Sequence, residues 1–307
     1  MEHVPVLLNE VISMLNIKDG GTYVDLTLGR AGHSSKILEA IPHGHLIGLD
    51  QDEVALQESR IRLEKIGSNF TLVHSNYSNL DKVLDELGIS EVDGILADLG
   101  VSSPQLDDPE RGFSYKEDAY LDMRMDQSSS LTAHKVVNSY SYEDLVRILF
   151  TYGEEKDAKI IAKNIVRQRE IAPINSTLQL VEIIKRSKSA RALKEKGHPA
   201  KQTFQAIRME VNKETASLEA MLDVAPKYLK KGGRLVIITF MSLDDRLVKN
   251  KFRSLSVIEG SRHDPQPIQN EVAPFMLVNK KPIIADEEEL LQNHRAASAK
   301  LRGIERR

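Results

Sequence analysis

The chain contains no cysteine and no tryptophan, and aromatic residues make up 5% of its 307 residues. The absence of cysteine excludes disulfide bonds and thiolate metal sites and fits a reducing compartment. No apolar run reaches the length of a bilayer span, and the first residues do not place a basic segment before a hydrophobic one. We therefore expect a soluble, cytoplasmic protein with room for one large or two modest domains.

Strand-like and helix-like segments alternate along the first third of the chain. Four apolar runs before residue 99 predict strands, and alternation of this kind is typical of a parallel sheet with helices on both faces. From about residue 117 to 230 the pattern is almost entirely helical, and a fifth apolar strand follows at 232–240. The sequence thus predicts an α/β fold with a helical insertion between the fourth and fifth strands, and a charged, partly mobile tail after residue 286.

The turn after the first predicted strand is rich in small residues. Residues 24–33 read VDLTLGRAGH, and the spacing acid-x-G-x-G-x-G falls on Asp25, Thr27, Gly29 and Ala31. Small residues let a ligand approach the backbone closely, and glycine reaches positive φ values at little cost. The spacing resembles the first motif of S-adenosylmethionine (SAM) dependent methyltransferases, with Thr27 and Ala31 in place of glycine. The G-x-G-x-x-G of a dinucleotide site is not present directly after the strand.

A second acidic residue supports a nucleoside site. The run 45–50 ends in Asp50, about twenty residues after the glycines, where a doubly wound sheet places a carboxylate beside ribose hydroxyls. The alternative is that Asp50 only caps the following helix. Asp52 is also placed to cap that helix, which would leave Asp50 for the ligand.

Distinctive segments are spread from residue 3 to residue 302. The most specific follows the fourth strand, whose carboxyl end carries Asp98 at the edge where open α/β sheets bind ligands. In chain order the segments are 3–10 (HVPVLLNE), 24–34, 98–113 (DLGVSSPQLDDPERGF), 121–126 (LDMRMD), 152–155 (YGEE), 198–200 (HPA), 203–208 (TFQAIR), 242–246 (SLDDR) and 298–302 (SAKLR).

Taken together, these segments resemble the ribosomal RNA small-subunit methyltransferase H family, bacterial enzymes that methylate N4 of a cytidine in the decoding region of 16S rRNA. The resemblance implies a Rossmann-like SAM-dependent methyltransferase domain formed by 1–108 and 203–307. It also implies an RNA-recognition insertion at 109–202 and a substrate of 16S rRNA within the small ribosomal subunit. The residues that match the family's SAM-binding positions are Ala31, Gly32, His33, Asp50, Tyr77, Asp98 and Gln105.

Each of these positions has a physical task and an ordinary structural alternative. Tyr77 would offer a flat face near adenine, or be a core aromatic residue. His33 would contact the ligand, or only start a helix, and Gln105 would bind the ligand or be a turn residue. Met241 stands where the family commonly has histidine, so no catalytic role is assigned to it.

Methyl transfer from a sulfonium is an in-line displacement in which alignment supplies most of the acceleration. The N4 lone pair of cytosine is delocalised into the ring, and acceptors that hold its N–H groups favour the transition state. Asp98 is the predicted catalytic residue, and the Leu99 carbonyl and Ser102 or Ser103 are further candidates. A cytidine inside paired RNA does not reach such a pocket, so a flipped or unpaired base is implied.

The net charge of −3 argues only weakly against a nucleic-acid partner, because a basic face can coexist with an acidic remainder. The distribution of charge along the chain is therefore more informative than the total. The segment 185–201 holds seven Lys or Arg against one Glu, and the segment from 293 adds five against one. Such runs are either solvated helix faces or phosphate-contacting surfaces, and two of them in an acidic chain favour the second.

The motifs argue against two other enzyme classes and against a metal site. The motif spacing disfavours a nicotinamide-dependent oxidoreductase, and the basic insertion disfavours a SAM enzyme that acts on small molecules or proteins. No metal-loop motif is present, and we predict that no metal is required. The carboxylates considered as cation ligands are Asp107, Asp108, Asp122 and Asp126.

Overall fold

A mixed sheet joins segments from the first and the last third of the chain. The computed structural model describes residues 5–258 and 272–307, and within them the sheet has seven strands. His3 and Val4, which belong to the first distinctive segment, lie outside the described residues. The strands are β1 (Thr22–Asp25), β2 (His45–Asp50), β3 (Phe70–His74), β4 (Val92–Asp98), β5 (Leu229–Thr239), β6 (Phe275–Leu277) and β7 (Lys300–Arg306).

Helices fill the connections between strands and make up most of the insertion. No helix within 5–258 or 272–307 is both long and apolar enough to cross a membrane. The helices are α1 (Leu8–Leu15), α2 (Gly32–Ala40), α3 (Glu53–Leu63), α4 (Leu80–Glu86), α5 (Ser103–Asp107), α6 (Ala133–Ser139), α7 (Tyr142–Thr151), α8 (Ala158–Ile171), α9 (Thr177–Ser187), α10 (Lys201–Val211), α11 (Glu214–Val224), α12 (Ser242–Ser256) and α13 (Glu287–Gln292).

The strand order determines where a ligand can bind. The order is β3-β2-β1-β4-β5-β7-β6, in which β1 to β5 are parallel and β7 runs antiparallel to both β5 and β6. The chain moves outward from β1 to β3 and then returns to place β4 on the other side of β1. The carboxyl ends of β1 and β4 therefore flank the switch point, where open α/β sheets bind ligands. The predicted α/β sheet is confirmed.

The apolar strand sequences follow from burial on both faces of the sheet. Successive residues of a strand point to opposite faces, so Tyr23 and Leu46 belong to one core and their neighbours Val24 and Ile47 to the other. All four side chains are at most 1% exposed. The two cores hold the sheet between helical layers and fix the ends of its strands.

The expected mobile tail is wrong at β7. This strand pairs with β5 on one side and β6 on the other. Leu301 and Ile304 are fully buried, and the Arg302 guanidinium is buried against Asp245, with its Nε 2.7 Å from Oδ1. The charges that suggested mobility are therefore compensated by partners distant in sequence.

The chain divides into two compact units. One comprises Met1–Gly100 with Ala216–Arg307, and the other comprises Val101–Thr215. The second unit starts before the predicted insertion 109–202 and ends after it. It extends further because α10 buries Phe204 and Ile207 in the helical core. Sequence periodicity predicted α10 itself without deciding which core it joins.

Candidate functional site

The loop after β1 combines a left-handed backbone with open space. Gly29 has a φ of +51°, and the nearest atom to a Cβ built there would be the Thr27 carbonyl oxygen at 3.9 Å. Ala31 also lies in the left-handed region, with a φ of 56°, directly before α2. The first turn of α2 leaves amide groups without intrahelical partners, which suits a carboxylate or another polar ligand group.

Asp25 organises this loop from within. Its buried carboxylate accepts hydrogen bonds from the Ser34 hydroxyl at 2.7 Å and the Thr27 amide at 3.1 Å. Burial raises the pKa of Asp25, and the Ser34 hydrogen bond opposes that shift. The Thr27 hydroxyl accepts the Asp98 amide at 2.6 Å and thereby ties the end of β4 to the loop. Asp25 is therefore a positioning residue. The hydrogen bond by which Thr27 connects the loop to β4 was not predicted from the sequence.

Asp50 and Asp52 have different structural roles, which the sequence alone left open. Asp52 caps α3 by accepting the Val54 amide at 3.2 Å. Asp50 instead accepts the Gly29 amide at 2.8 Å and the Asp52 amide at 2.9 Å. Burial raises the pKa of Asp50 to about 6, although these two backbone donors act to lower it. Each carboxylate oxygen keeps a further lone pair, so Asp50 can accept ribose hydroxyls while it holds the loop.

Asp98 and His33 face each other at the switch point. The Nε2 of His33 lies 2.9 Å from the Val6 carbonyl oxygen, which can only accept, so Nε2 carries a proton. The other ring nitrogen, Nδ1, lies 3.8 Å from Oδ2 of Asp98. Oδ1 of Asp98 is buried and has no hydrogen-bond partner among the described residues. Burial raises the pKa of Asp98 to about 6; His33 acts to lower it and Asp25 to raise it further.

Two predicted ligand positions have structural roles in the chain itself. Ala31 is fully buried; its amide donates to Leu28, and its carbonyl accepts both the Ser35 amide and the Ser35 hydroxyl. A Cβ on Gly32 would lie 2.4 Å from Cγ of Pro5. Glycine at 32 is therefore required by the packing of Pro5, a reason that the motif spacing did not reveal.

Tyr77 and Gln105 occupy different compact units. Tyr77 opens a 3-10 turn, Tyr77–Asn79, after β3 and is half-buried. In the helical unit, Gln105 is buried and its side-chain oxygen accepts the Ser102 amide at 3.1 Å. This contact belongs to a capping box at the start of α5. The turn-residue alternative for Gln105 thus has a direct structural basis, and its contact with SAM stays a prediction.

The basic segment 185–201 is not a uniform surface. The Lys188 ammonium is buried and lies 2.7 Å from the Glu155 carboxylate and 3.4 Å from the Asp157 carboxylate. Lys185 pairs with Glu182 at 3.3 Å. Because Lys188 holds the helical unit together, it is not available to RNA. The second basic segment, from 293, likewise contributes most of its cations to ion pairs around β7.

The carboxyl ends of β1, β2 and β4 carry Asp25, Asp50 and Asp98, and the charge of Asp25 acts to raise the pKa of both Asp50 and Asp98. The open space at Gly29 and the remaining acceptors of Asp50 fit an adenosine-type ligand, and the nearby carboxyl groups favour one that carries positive charge. Within the part of the chain that the structure describes, no group of three His, Asp or Glu residues could hold a metal ion.

Comparison with known families decides the class of ligand. The profile of the MraW methylase family matches residues 1–307. The chain belongs to this family. The match confirms the resemblance to the small-subunit methyltransferase H group that the separated segments indicated, and the chain uses SAM as its methyl donor.

Several solved structures are similar to this chain. An rRNA methylase from Streptococcus thermophilus is 13% identical, with 100% of this chain and 98% of that chain covered and a TM-score of 0.42. A Streptococcus mutans protein in complex with SAH is also 13% identical, with 99% and 100% coverage and a TM-score of 0.42. A SAM-dependent O-methyltransferase from Thermotoga maritima is 9% identical, with 97% and 64% coverage and a TM-score of 0.42.

Proposed function

We propose that this chain transfers a methyl group from SAM to N4 of a cytidine in the decoding region of 16S rRNA, within assembled small ribosomal subunits in the cytoplasm. The observation that carries the proposal is Oδ1 of Asp98, a buried acceptor without a partner among the described residues at the switch point of the sheet. The distinctive segments spread along the chain support the choice of cytidine N4 and of the small subunit.

The chain's own residues act by holding and aligning. Asp50 and the first turn of α2 orient the donor, whose sulfonium supplies an electrophilic methyl group. Oδ1 of Asp98 accepts an N–H of the cytosine amino group and draws its lone pair out of the ring. With the methyl group supplied by the donor, Asp98 would take up the proton that N4 loses. A pKa of about 6 lets Asp98 accept and release a proton near neutral pH.

The cofactor part of the proposal is tested by calorimetry. Asp50→Ala removes the acceptors for the ribose hydroxyls and should weaken SAM binding by about 1.5–3 kcal/mol. Glu86→Ala removes an exposed carboxylate of the same unit and serves as the matched control. Unchanged affinity in the Asp50 variant would contradict the assignment of this carboxylate to the ribose.

The substrate part is tested by methyl incorporation and by mass spectrometry of the product nucleoside. Methylation of assembled small subunits should be much faster than methylation of naked 16S rRNA, and the label should appear as N4-methylated cytidine. Asp98→Asn should lower kcat far more than it changes the affinity for SAM, because Asp98 acts on the acceptor. A label on another atom, or equal rates on both substrates, would refute the corresponding part.

A further inference from the structure

Two helices of the helical unit border an open groove with an apolar floor. Residues of α7 and of the segment leading into α8 line a volume of about 760 Å³. Phe150 lies in this groove with 68% of its surface exposed, and Ile160 lies beside it with 48% exposed. An aromatic ring this exposed contributes little to the helical core. Its face is accessible to a flat partner.

The groove has a cationic rim that continues along α8. Arg147, Lys156 and Lys159 line it. Four residues after Lys159 comes Lys163, and four further on comes Arg167, so the three lie on one face of α8 and are all exposed. We call Lys159, Lys163 and Arg167 the basic stripe.

The cations of the basic stripe and Lys156 form no ion pair with any residue in 5–258 or 272–307. Opposite charges four residues apart on a helix compensate each other, whereas both positions four residues from Lys163 are basic. Carboxylates near the groove are already engaged, since Asp144 lies 3.6 Å from Arg147 and Asp157 lies 3.4 Å from Lys188. The opposite face of α8 is buried, so the helix presents the stripe in a fixed orientation.

We infer that this groove and the basic stripe bind single-stranded RNA, with Phe150 stacked on an unpaired base and the stripe in contact with successive phosphates. The inference rests on the proposed function and identifies where the helical unit contacts its substrate. Exposed aromatic faces combined with unpaired cations are the combination that single-stranded nucleic acids require. A protein partner would use the apolar floor without needing three uncompensated cations beside it.

Stacking is tested by Phe150→Ala and Phe150→Tyr in the full chain. The alanine variant should bind a fluorescent oligouridylate of roughly ten nucleotides about tenfold more weakly, and the tyrosine variant should restore binding. Ile61→Ala is the matched control, because Ile61 is 62% exposed on α3 in the other compact unit. Equal binding by the Phe150→Ala variant and the parent chain would overturn the role of Phe150.

The phosphate contacts are tested by the double variant Lys159→Gln, Lys163→Gln. The salt slope is the decrease in log K of binding per unit increase in log salt concentration. Each lost phosphate contact to a single strand reduces this slope by about 0.7, so the slope of the double variant should be smaller by about 1.4. Lys65→Gln, Lys249→Gln changes the net charge equally on exposed residues of the other unit and should leave the slope unchanged. If the double variant had the same slope as the parent chain, the inference that the basic stripe contacts RNA phosphates would be wrong.

The outcome also separates this inference from the proposed function. If the groove binds the substrate, the Phe150 and double-lysine variants raise KM for small subunits while SAM affinity and the identity of the methylated nucleoside stay the same. If sedimentation shows that Phe150→Ala dissociates a dimer without changing RNA affinity, the groove is an interface between copies of this chain, and the inference is wrong. If the parent chain produced no N4-methylcytidine, the proposed function would instead be contradicted.

Discussion

Asp98→Asn should make the protein more stable at alkaline pH. The folded chain raises the pKa of Asp98 from an ordinary 3.8 to about 6, chiefly through burial. The folded state therefore binds more protons than the unfolded state between these values, and the free energy of unfolding falls as pH rises through that window. A shift of about two pKa units at ~1.36 kcal/mol each amounts to about 3 kcal/mol above pH 6.

Asparagine does not ionise, so the Asp98→Asn variant does not lose this stability as the pH rises. Its buried amide still lacks a good partner at the position of Oδ1, so we expect a net gain of about 2 kcal/mol at pH 8 and none at pH 4. Urea unfolding followed by circular dichroism at several pH values measures the difference. Glu86→Gln, which neutralises an exposed carboxylate, is the control. If the parent chain and Asp98→Asn lose stability in parallel from pH 4 to pH 8, the burial argument for Asp98 is wrong.

Two other substitutions test the positioning contacts. Lys188→Glu places a third carboxylate beside Glu155 and Asp157 and should lower the free energy of unfolding by about 3–5 kcal/mol. Hydrogen exchange should show the loss as reduced amide protection in the helical unit. Arg186→Glu, on the exposed surface, should leave that protection intact. Gly32→Ala forces a Cβ to within 2.4 Å of Pro5 and should lower stability by about 1–3 kcal/mol in thermal unfolding; an unchanged Tm would contradict the reported packing.

The parallel part of the sheet could be predicted because its strands are buried on both faces. β2 contains the run LIGL at 46–49 and β5 the apolar run LVII at 235–238, a signal that local sequence carries by itself. In contrast, β7 reads KLRGIER, with four charged residues among seven. Its burial depends on Asp245 and the other partners of its cations, which lie far away in sequence.

The structural contacts of the candidate site could be predicted only in part. Asp52 could be predicted as the cap of α3 because a helix start is a local feature, whereas the ribose role of Asp50 stays a prediction. The inward orientation of Asp25 was not predictable, since it depends on the Ser34 hydroxyl and on the tie from Thr27 to the end of β4. Buried polar groups take the partners that the fold brings to them, and spacing alone does not specify those partners.

The position of the helical unit between β4 and β5 has a consequence for folding. These strands are neighbours in the sheet, yet the chain between them runs from Asp98 to Leu229. Closing such a loop costs about 2 kcal/mol more conformational entropy than closing one a tenth as long. The cost depends on the logarithm of loop length and hardly on what the loop contains. The sheet therefore constrains the residues of the insertion only weakly, which leaves their sequence open to selection for binding.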